Sequence, residues 1–169
     1  MEIDKLIGKI LQGYQPACVV ITANELKIFD ELKQPITAKQ LAENRQLDPE
    51  ACERLLNALT SLEIVNKENN NYHLPHNSQE FLVTGGTHSL QQWIQLSADL
   101  YPLWGQLRTF IKSGTLIKSI MEMLGGDPHK MRAFTDAMHD KALKATWMIA
   151  REIPIGDTKN MLDVGGGPG

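Results

Sequence analysis

The chain has 169 residues, of which 42% are hydrophobic and 22% are charged, and its formal net charge is −3. This composition is typical of one ordinary folded domain or two small ones, and it excludes a disordered or fibrous protein. The negative charge gives no general attraction to nucleic acid or to an anionic membrane surface. No apolar run approaches the roughly 20 residues that span a bilayer, and the N-terminus lacks the layout of a secretory signal.

The two cysteines, Cys18 and Cys52, lie in separate amphipathic stretches and lack the spacing of a metal site. We interpret them as small buried hydrophobic residues in a reducing compartment, which predicts a cytoplasmic location. The five histidines also lack metal-ligand spacing. The sequence therefore predicts no metal site.

A first helix is predicted at the N-terminus, because apolar residues recur there at helical spacing. The segment 17–32 follows, and it is so rich in apolar residues that we expect it to be buried on most of its surface. The apolar stripe of the first helix consists of Ile3, Leu6, Ile7, Ile10 and Leu11.

Two helix starts carry capping signals. Thr37 is followed three residues later by Gln40, which is the pattern of a capping box. Asp48 and Pro49 predict an N-cap and a first helical residue for the next helix. The apolar face of this next helix consists of Leu55, Leu56, Leu59 and Leu62.

The stretch "IVNKENNNYHL" places a polar, asparagine-rich turn between two short β-prone pieces, which predicts a hairpin. Two helices followed by a hairpin are the element order of a winged helix-turn-helix. We therefore predict a mainly α-helical fold with this arrangement in the first half of the chain.

The second half has longer apolar patterns. Residues 87–113 carry a helical pattern, which Pro102 is expected to kink or break. Asp127 and Pro128 predict the start of another helix. After a short linker, residues Met161 to Val164 predict a strand that leads into a run of glycines.

The chain ends in "LDVGGGPG", where Asp163, Gly165, Gly167 and Gly169 form the pattern D-x-G-x-G-x-G after the predicted strand. Glycine permits backbone angles that other residues avoid, and without a Cβ it lets a ligand approach the main chain. The dinucleotide pattern G-x-G-x-x-G would need a glycine at position 170, beyond this sequence. The alternative interpretation is a glycine-rich tail without a ligand.

This ending resembles the first motif of S-adenosylmethionine-dependent methyltransferases, especially the "LDVGGGTG" of small-molecule O-methyltransferases. The segments "ANELKIFDEL", "TAKQLAENRQLDPEACERLLNALTSLEIV" and "YHLPHNSQEFLVTGG" resemble successive parts of the dimerisation domain with which the plant caffeic-acid and bacterial types of this family begin. "FTDAMHDKA" resembles the F-x-x-x-M stretch that precedes the cofactor motif. Pro168 departs from the usual threonine or serine and lacks an N–H, so no main-chain contact is assigned to it.

The resemblance implies a domain organisation. Residues 1–86 are expected to form a winged-helix dimerisation domain, 87–156 a helical connector that caps the substrate, and 157–169 the start of a truncated, Rossmann-like α/β methyltransferase domain. It also implies S-adenosylmethionine as cofactor and a homodimer formed through the N-terminal domain. The expected cofactor-binding residues are Asp163, Gly165, Gly166, Gly167 and Gly169.

The connector is rich in aromatic residues and methionines, which suit either core packing or a pocket for a planar, aromatic small molecule. By resemblance, Phe134 and Met138 match positions that line the family's substrate pocket. His139 is interpreted as a surface or packing residue, because the family's catalytic base lies further downstream. No catalytic residue is therefore assigned within this chain, and we expect the 169 residues to be inactive alone.

A winged helix is also a DNA-binding fold, so a transcriptional regulator is an alternative function. The candidate recognition helix and its flanks carry Asp48, Glu50, Glu53 and Glu63 against the single base Arg54. This charge is unfavourable near phosphates, which argues against nucleic acid as a partner. A stand-alone dimerisation module is the third possibility.

Overall fold

The computed structural model describes residues 2–115, 122, 125–153, 156, 158–160, 162 and 164. These residues are mainly helical and include a three-stranded antiparallel sheet with the order β1-β3-β2. The elements in chain order are α1 (Ile3–Gln12), α2 (Tyr14–Glu25), α3 (Ile28–Glu31), β1 (Ile36–Thr37), α4 (Ala38–Arg45), α5 (Pro49–Ser61), β2 (Asn66–Glu68), β3 (Asn71–His73), α6 (His76–Leu82), α7 (Gln91–Trp104), α8 (Leu107–Ser113) and α9 (Pro128–Glu152).

Helices α4 and α5 begin where the sequence predicts. The Gln40 backbone N–H donates to Thr37 Oγ1 at 3.2 Å, and Gln40 Oε1 accepts from the Thr37 backbone N–H at 3.2 Å, which completes a capping box. Asp48 Oδ1 accepts from the Ala51 backbone N–H at 2.8 Å, and Pro49 is the first helical residue. Both predicted starts are confirmed.

The predicted hairpin is also confirmed, since β2 and β3 pair antiparallel. Asn69 and Asn70 form its turn with φ of 46° and 66°, a left-handed conformation that asparagine tolerates better than most residues. Strand β1 adds to the other side of β3, with Ile36 opposite Tyr72. The sequence did not predict β1, because a strand of two residues has no measurable alternation of apolar and polar side chains.

One hydrophobic core joins α2–α5 to the sheet. Tyr72 on β3 is fully buried there, and its hydroxyl donates to Asn57 Oδ1 at 2.9 Å, which satisfies the polar tip of an otherwise apolar side chain. The largest fully buried side chains of this core are Phe29, Ile28, Leu32, Leu41, Leu56, Leu59, Val65, Tyr72 and Leu74.

The prediction that most of the surface of segment 17–32 is buried is wrong. The segment divides into α2 and α3 at Lys27, which adopts a φ of 54°. Each helix then buries one side only, because the turn directs a limited set of residues toward the core. The buried residues of the segment are Ala23, Asn24, Ile28, Phe29 and Leu32.

Helix α7 contains Pro102 but continues to Trp104, and the chain turns at Gly105 before α8. The predicted break at Pro102 is therefore displaced by about one turn. Proline removes one backbone N–H but keeps a helical φ, so a helix near its end can continue through it.

Helix α9 begins at Pro128 as predicted, and it packs along α7. The Met131 backbone N–H donates to the carbonyl of Asp127 at 3.0 Å, which closes the first turn. Further on, the predicted strand falls on residues of which only Leu162 and Val164 are described. These two are 86% and 84% exposed and lie outside any strand.

Cys52 is buried in the core, and this burial raises the pKa of its thiol. Cys18 is only half-buried, on α2. The interpretation as buried hydrophobic residues is therefore confirmed for Cys52 and holds in part for Cys18.

Candidate functional site

Helix α7 lies between α2 on one side and α9 on the other. At its beginning, Asn24 Nδ2 of α2 donates to the carbonyl of Gln91 at 3.3 Å. Near its end, a hydrogen bond with the side chain of Cys18 raises the pKa of the Tyr101 hydroxyl. Because residue numbers fall along α2 as they rise along α7, the two helices run antiparallel.

A cavity of about 400 Å³ opens between α7 and α9. Its lining combines apolar side chains with two amides, the carboxylate of Asp99 and the ammonium of Lys130. Gln95 Nε2 donates to Asp99 Oδ1 at 3.3 Å, so this carboxylate is held from one side. The lining residues are Gln92, Gln95, Leu96, Ala98, Asp99, Leu100, Pro102, Lys130, Ala133 and Phe134.

This cavity can hold a ligand with an apolar body and a few polar groups, which is the usual composition of a small-molecule site. Phe134, predicted from the resemblance, is half-buried and lines the cavity. Met138 lies one helical turn further along α9, is 37% exposed, and does not line the cavity. The structure therefore places one of the two predicted substrate residues at this cavity and the other beyond it.

His139 is exposed on α9, in agreement with its interpretation as a surface residue. The next residue, Asp140, is half-buried and was not singled out by the sequence. Its carboxylate accepts from the backbone N–H groups of Gln92 and Trp93, at the start of α7, and its Oδ2 atom is buried without a partner among the described residues. Burial raises the pKa of this carboxyl, while the neighbouring His139 lowers it to a lesser extent.

The position of Asp140 at the start of α7 has a structural explanation that sequence patterns do not reveal. The N-cap residue Leu90 makes no side-chain cap, and Ser89 Oγ accepts from the Gln91 backbone N–H at 3.3 Å, so the N–H groups that follow need acceptors from elsewhere. Asp140 supplies one from a helix that lies about fifty residues away along the chain. A cap between distant segments leaves no local signal, unlike the capping box at Thr37.

A polar cluster of Asp30, Thr84 and Gln91 joins the N-terminal region to α7. Asp30 Oδ1 accepts from the backbone N–H of Thr84 and Asp30 Oδ2 accepts from its hydroxyl, each at 2.8 Å, and the same hydroxyl oxygen lies 3.2 Å from Gln91 Oε1. Gln91 Nε2 in turn donates to the carbonyl of Leu82 at 2.8 Å. Since Gln91 is buried, these bonds fix the start of α7 against α3 and α6.

The charges on α5 and the hairpin are largely paired with one another. Arg54 pairs with Glu50, and Lys67 Nζ lies 3.7 Å from Glu53 Oε1. Lys67 also donates to Asn57 Oδ1 at 2.9 Å and lies over the ring of Tyr72. The two basic groups of this surface therefore already have acidic or aromatic partners.

The predicted cofactor residues Asp163, Gly165, Gly166, Gly167 and Gly169 lie outside the described residues, and so does Pro168. Among the residues that are described, no three or more His, Cys, Asp or Glu side chains are grouped to hold a metal ion. None of the helices in this part of the chain is both long and apolar enough to cross a membrane.

One protein family model matches the N-terminal region. Residues 9–84 match the model of the O-methyltransferase dimerisation domain. The match covers α2–α6, the core and the sheet, together with the end of α1.

Two kinds of relatives extend the comparison beyond this region. The S-adenosyl-L-methionine-dependent methyl transferase PigF from a Serratia strain is 35% identical over 108 residues, which are 62% of this chain and 31% of PigF. An O-methyltransferase family protein from Burkholderia thailandensis superposes with a TM-score of 0.78 at 18% identity, over 92% of this chain and 46% of that one. Human N-acetylserotonin methyltransferase, solved in complex with SAM, superposes with a TM-score of 0.71 at 18% identity, over 84% of this chain and 46% of that one.

At these identities the structural matches show a shared fold. The chain spans about a third of the length of PigF and about half the length of the two solved structures.

Proposed function

We propose that the chain is the N-terminal part of an S-adenosylmethionine-dependent O-methyltransferase, because residues 9–84 match the dimerisation domain of the O-methyltransferases. The observation that carries the proposal is the combination, in one chain, of this domain with the sequence "LDVGGGPG" at residues 162–169. The similarity to PigF, a methyltransferase by its name, supports it.

The cofactor would be held by Asp163 and the glycines at 165, 166, 167 and 169. Their chemistry fits the task, since glycines without a Cβ let a ligand lie against the main chain, and a carboxylate accepts hydrogen bonds from it. When bound, S-adenosylmethionine supplies an electrophilic methyl group. Pro168 has no N–H to donate, so we assign it only the role of restricting the loop.

The substrate would be a small molecule with an aromatic body, bound where α7 meets α9. Phe134 offers a ring face for stacking, and Leu96 and Leu100 offer apolar contacts in the same cavity. Asp99 and Lys130 would orient polar substituents and so determine which substrates fit. Met138, exposed beyond the cavity, would contact the substrate only from its edge.

The dimerisation domain implies a second copy of the chain as partner, and we propose a homodimer. The order β1–α4–α5–β2–β3 supports a winged-helix arrangement for this domain. Its α5 carries paired acids in place of free basic groups, which favours protein over DNA as its partner. The two free cysteines agree with a cytoplasmic location.

The proposal is tested by calorimetry with S-adenosylhomocysteine on the protein expressed from the complete reading frame that encodes this chain. We expect saturable binding, and we expect Gly167→Val to weaken it at least about tenfold, because a side chain there obstructs the approach to the main chain. Asp157→Asn, which lies before the predicted strand, serves as the matched control and should bind like the wild type. Absence of binding by the wild-type protein would contradict the proposed cofactor.

A further inference from the structure

Pro102 leaves one backbone carbonyl of α7 without its regular partner. In an α-helix the carbonyl of each residue accepts from the N–H group four residues later. The residue four positions after Ala98 is Pro102, which has no N–H. The nearby Ser97 Oγ donates elsewhere, to the carbonyl of Trp93 at 2.9 Å. The Ala98 carbonyl is therefore an acceptor that has lost its regular helical donor.

This carbonyl lies at the wall of the cavity between α7 and α9, because Ala98 and Pro102 both line that cavity. Asp99, the next residue, also lines it, so a backbone acceptor and a carboxylate acceptor lie side by side. Gln95 Nε2 donates to Asp99 Oδ1 at 3.3 Å, which leaves Asp99 Oδ2 for a ligand. On the α9 side of the cavity, Lys130 contributes an ammonium group.

The two charges of the cavity do not neutralise each other. None of the ion pairs between described residues includes Asp99 or Lys130, although both line the same cavity. The carboxylate and the ammonium are therefore too far apart to pair. A ligand that lies between them meets hydrogen-bond acceptors on the α7 side and a positive charge on the α9 side.

Pro102 is not needed to end α7. The helix continues to Trp104, and its C-cap is Gly105. Prolines that end helices usually follow the C-cap, whereas a proline within a helix is destabilising. The unpaired carbonyl at the cavity wall gives this unfavourable position a function.

We propose that the cavity selects aromatic substrates that carry an amino group, whose two N–H groups donate to the Ala98 carbonyl and to the Asp99 carboxylate, and an anionic group that pairs with Lys130. An aromatic ring that fills the cavity displaces the water that otherwise hydrates the carbonyl. A ligand without a donor then leaves this acceptor unpaired, which weakens binding. The inference rests on the proposed substrate cavity and specifies the class of substrate that it takes.

The test is an NMR titration of the protein expressed from the complete reading frame with two matched probes. para-Aminobenzoate carries an amino group and a carboxylate at opposite ends of one ring. para-Methylbenzoate has nearly the same size and the same carboxylate, but it has no donor. We expect para-aminobenzoate to bind at least about tenfold more tightly, because para-methylbenzoate leaves the acceptors of α7 unpaired.

Pro102→Ala tests the carbonyl directly. Alanine restores an N–H at position 102, which donates to the Ala98 carbonyl within the helix, so the ratio of the two affinities should fall to about threefold or less. A change in the shape of the cavity affects both probes alike, and only the ratio reports the donor. Pro16→Ala, in the first turn of α2 and outside the cavity, is the matched control and should keep the wild-type ratio.

Lys130→Met verifies that the probes occupy this cavity. It should weaken both probes by about two- to fivefold and leave their ratio unchanged, because both carry the carboxylate. Helical circular dichroism verifies that each variant is folded, and Pro102→Ala introduces the residue that helices favour most.

Equal binding of the two probes by the wild type, or a ratio that Pro102→Ala leaves unchanged, would overturn the inference. So would binding that Lys130→Met does not weaken, since the probes would then lie elsewhere. If neither probe binds, the inference fails as well. Saturable binding of S-adenosylhomocysteine by the same protein would show that the proposed cofactor is nevertheless correct.

Discussion

The region from Ala23 to Val83 and the three helices α7, α8 and α9 differ in how they bury apolar side chains. The first region encloses a continuous core in which aliphatic and aromatic side chains are fully buried. In the described part of the second, the fully buried residues are few, and Trp104 and Ile111 are each 72% exposed. The first region is therefore stabilised by its own packing, while the second offers apolar surface for contacts with other segments, subunits or ligands.

Leu56→Ala should produce the largest loss of stability. This side chain of α5 is fully buried, so its truncation leaves a cavity in the core and lowers the free energy of unfolding by about 2–5 kcal/mol. Urea denaturation at one protein concentration measures the difference. Ile111→Ala on α8 is the control, with a change of less than about 0.5 kcal/mol; equal losses at both positions would contradict the contrast between the two regions.

Gly86→Ala tests the loop that joins the two regions. A Cβ at position 86 would lie 2.2 Å from the carbonyl oxygen of Glu80, which also accepts from the His88 backbone N–H. Because that carbonyl belongs to the backbone of α6, the loop must move, and we expect a loss of about 1–3 kcal/mol. Thermal or urea unfolding gives the value.

The neighbouring Gly85→Ala separates steric conflict from backbone strain. Gly85 has a φ of 79°, but a Cβ added there would meet no atom within 4 Å, so only strain of about 1 kcal/mol is expected. A loss at Gly85 as large as that at Gly86 would show that the close approach to Glu80 is not the main constraint.

Asp48→Ala removes a local cap within the first region. The carboxylate accepts from the Ala51 N–H at the start of α5, and its loss should cost about 1 kcal/mol in urea unfolding. Asp48→Asn keeps an acceptor at the same place and should retain most of this stability. Equal costs for both substitutions would indicate that charge, and not the hydrogen bond, is what matters.

The caps also show what could be predicted from the sequence. The capping box at Thr37, the cap at Asp48 and the turn at Asn69 depend on residues within a few positions of one another, so their patterns are visible in the sequence. The division of segment 17–32 at Lys27 was missed, because lysine gives no signal for a positive φ.

The candidate site was predictable only in part, for the same reason. Phe134 is predicted from the resemblance to a family and lines the cavity, whereas Asp99 and Lys130 join it there through the packing of α7 on α9. Strand β1 depends on pairing with β3, more than thirty residues later in the chain. Contacts between distant segments are determined by tertiary packing, which local propensities and periodicity do not contain.

Asp140→Asn tests the long-range cap of the second region and should give the smallest effect. Burial raises the pKa of Asp140 in the folded protein, so the folded state binds its proton more tightly than the unfolded state does. Binding of this proton stabilises the folded state at pH values below the ordinary pKa of the carboxyl. This stabilisation is lost as the pH rises through the raised pKa of the folded protein. At neutral pH the wild type therefore holds a partly buried charge that asparagine lacks.

We expect Asp140→Asn to unfold at a higher urea concentration than the wild type at pH 7 and to lose this advantage toward pH 4. Its side-chain oxygen can still accept from the N–H groups of Gln92 and Trp93, so the cap is retained. Asp136 raises the pKa of this carboxyl and His139 lowers it, so neither residue is a suitable control. Asp4→Asn on exposed α1 also removes one carboxylate, and it should unfold at the urea concentration of the wild type at pH 7. A variant that is less stable than the wild type at pH 7 would contradict this expectation. It would show that the attraction of the ionised carboxylate to the start of α7 stabilises the packing of α7 on α9 by more than the burial of the charge destabilises it.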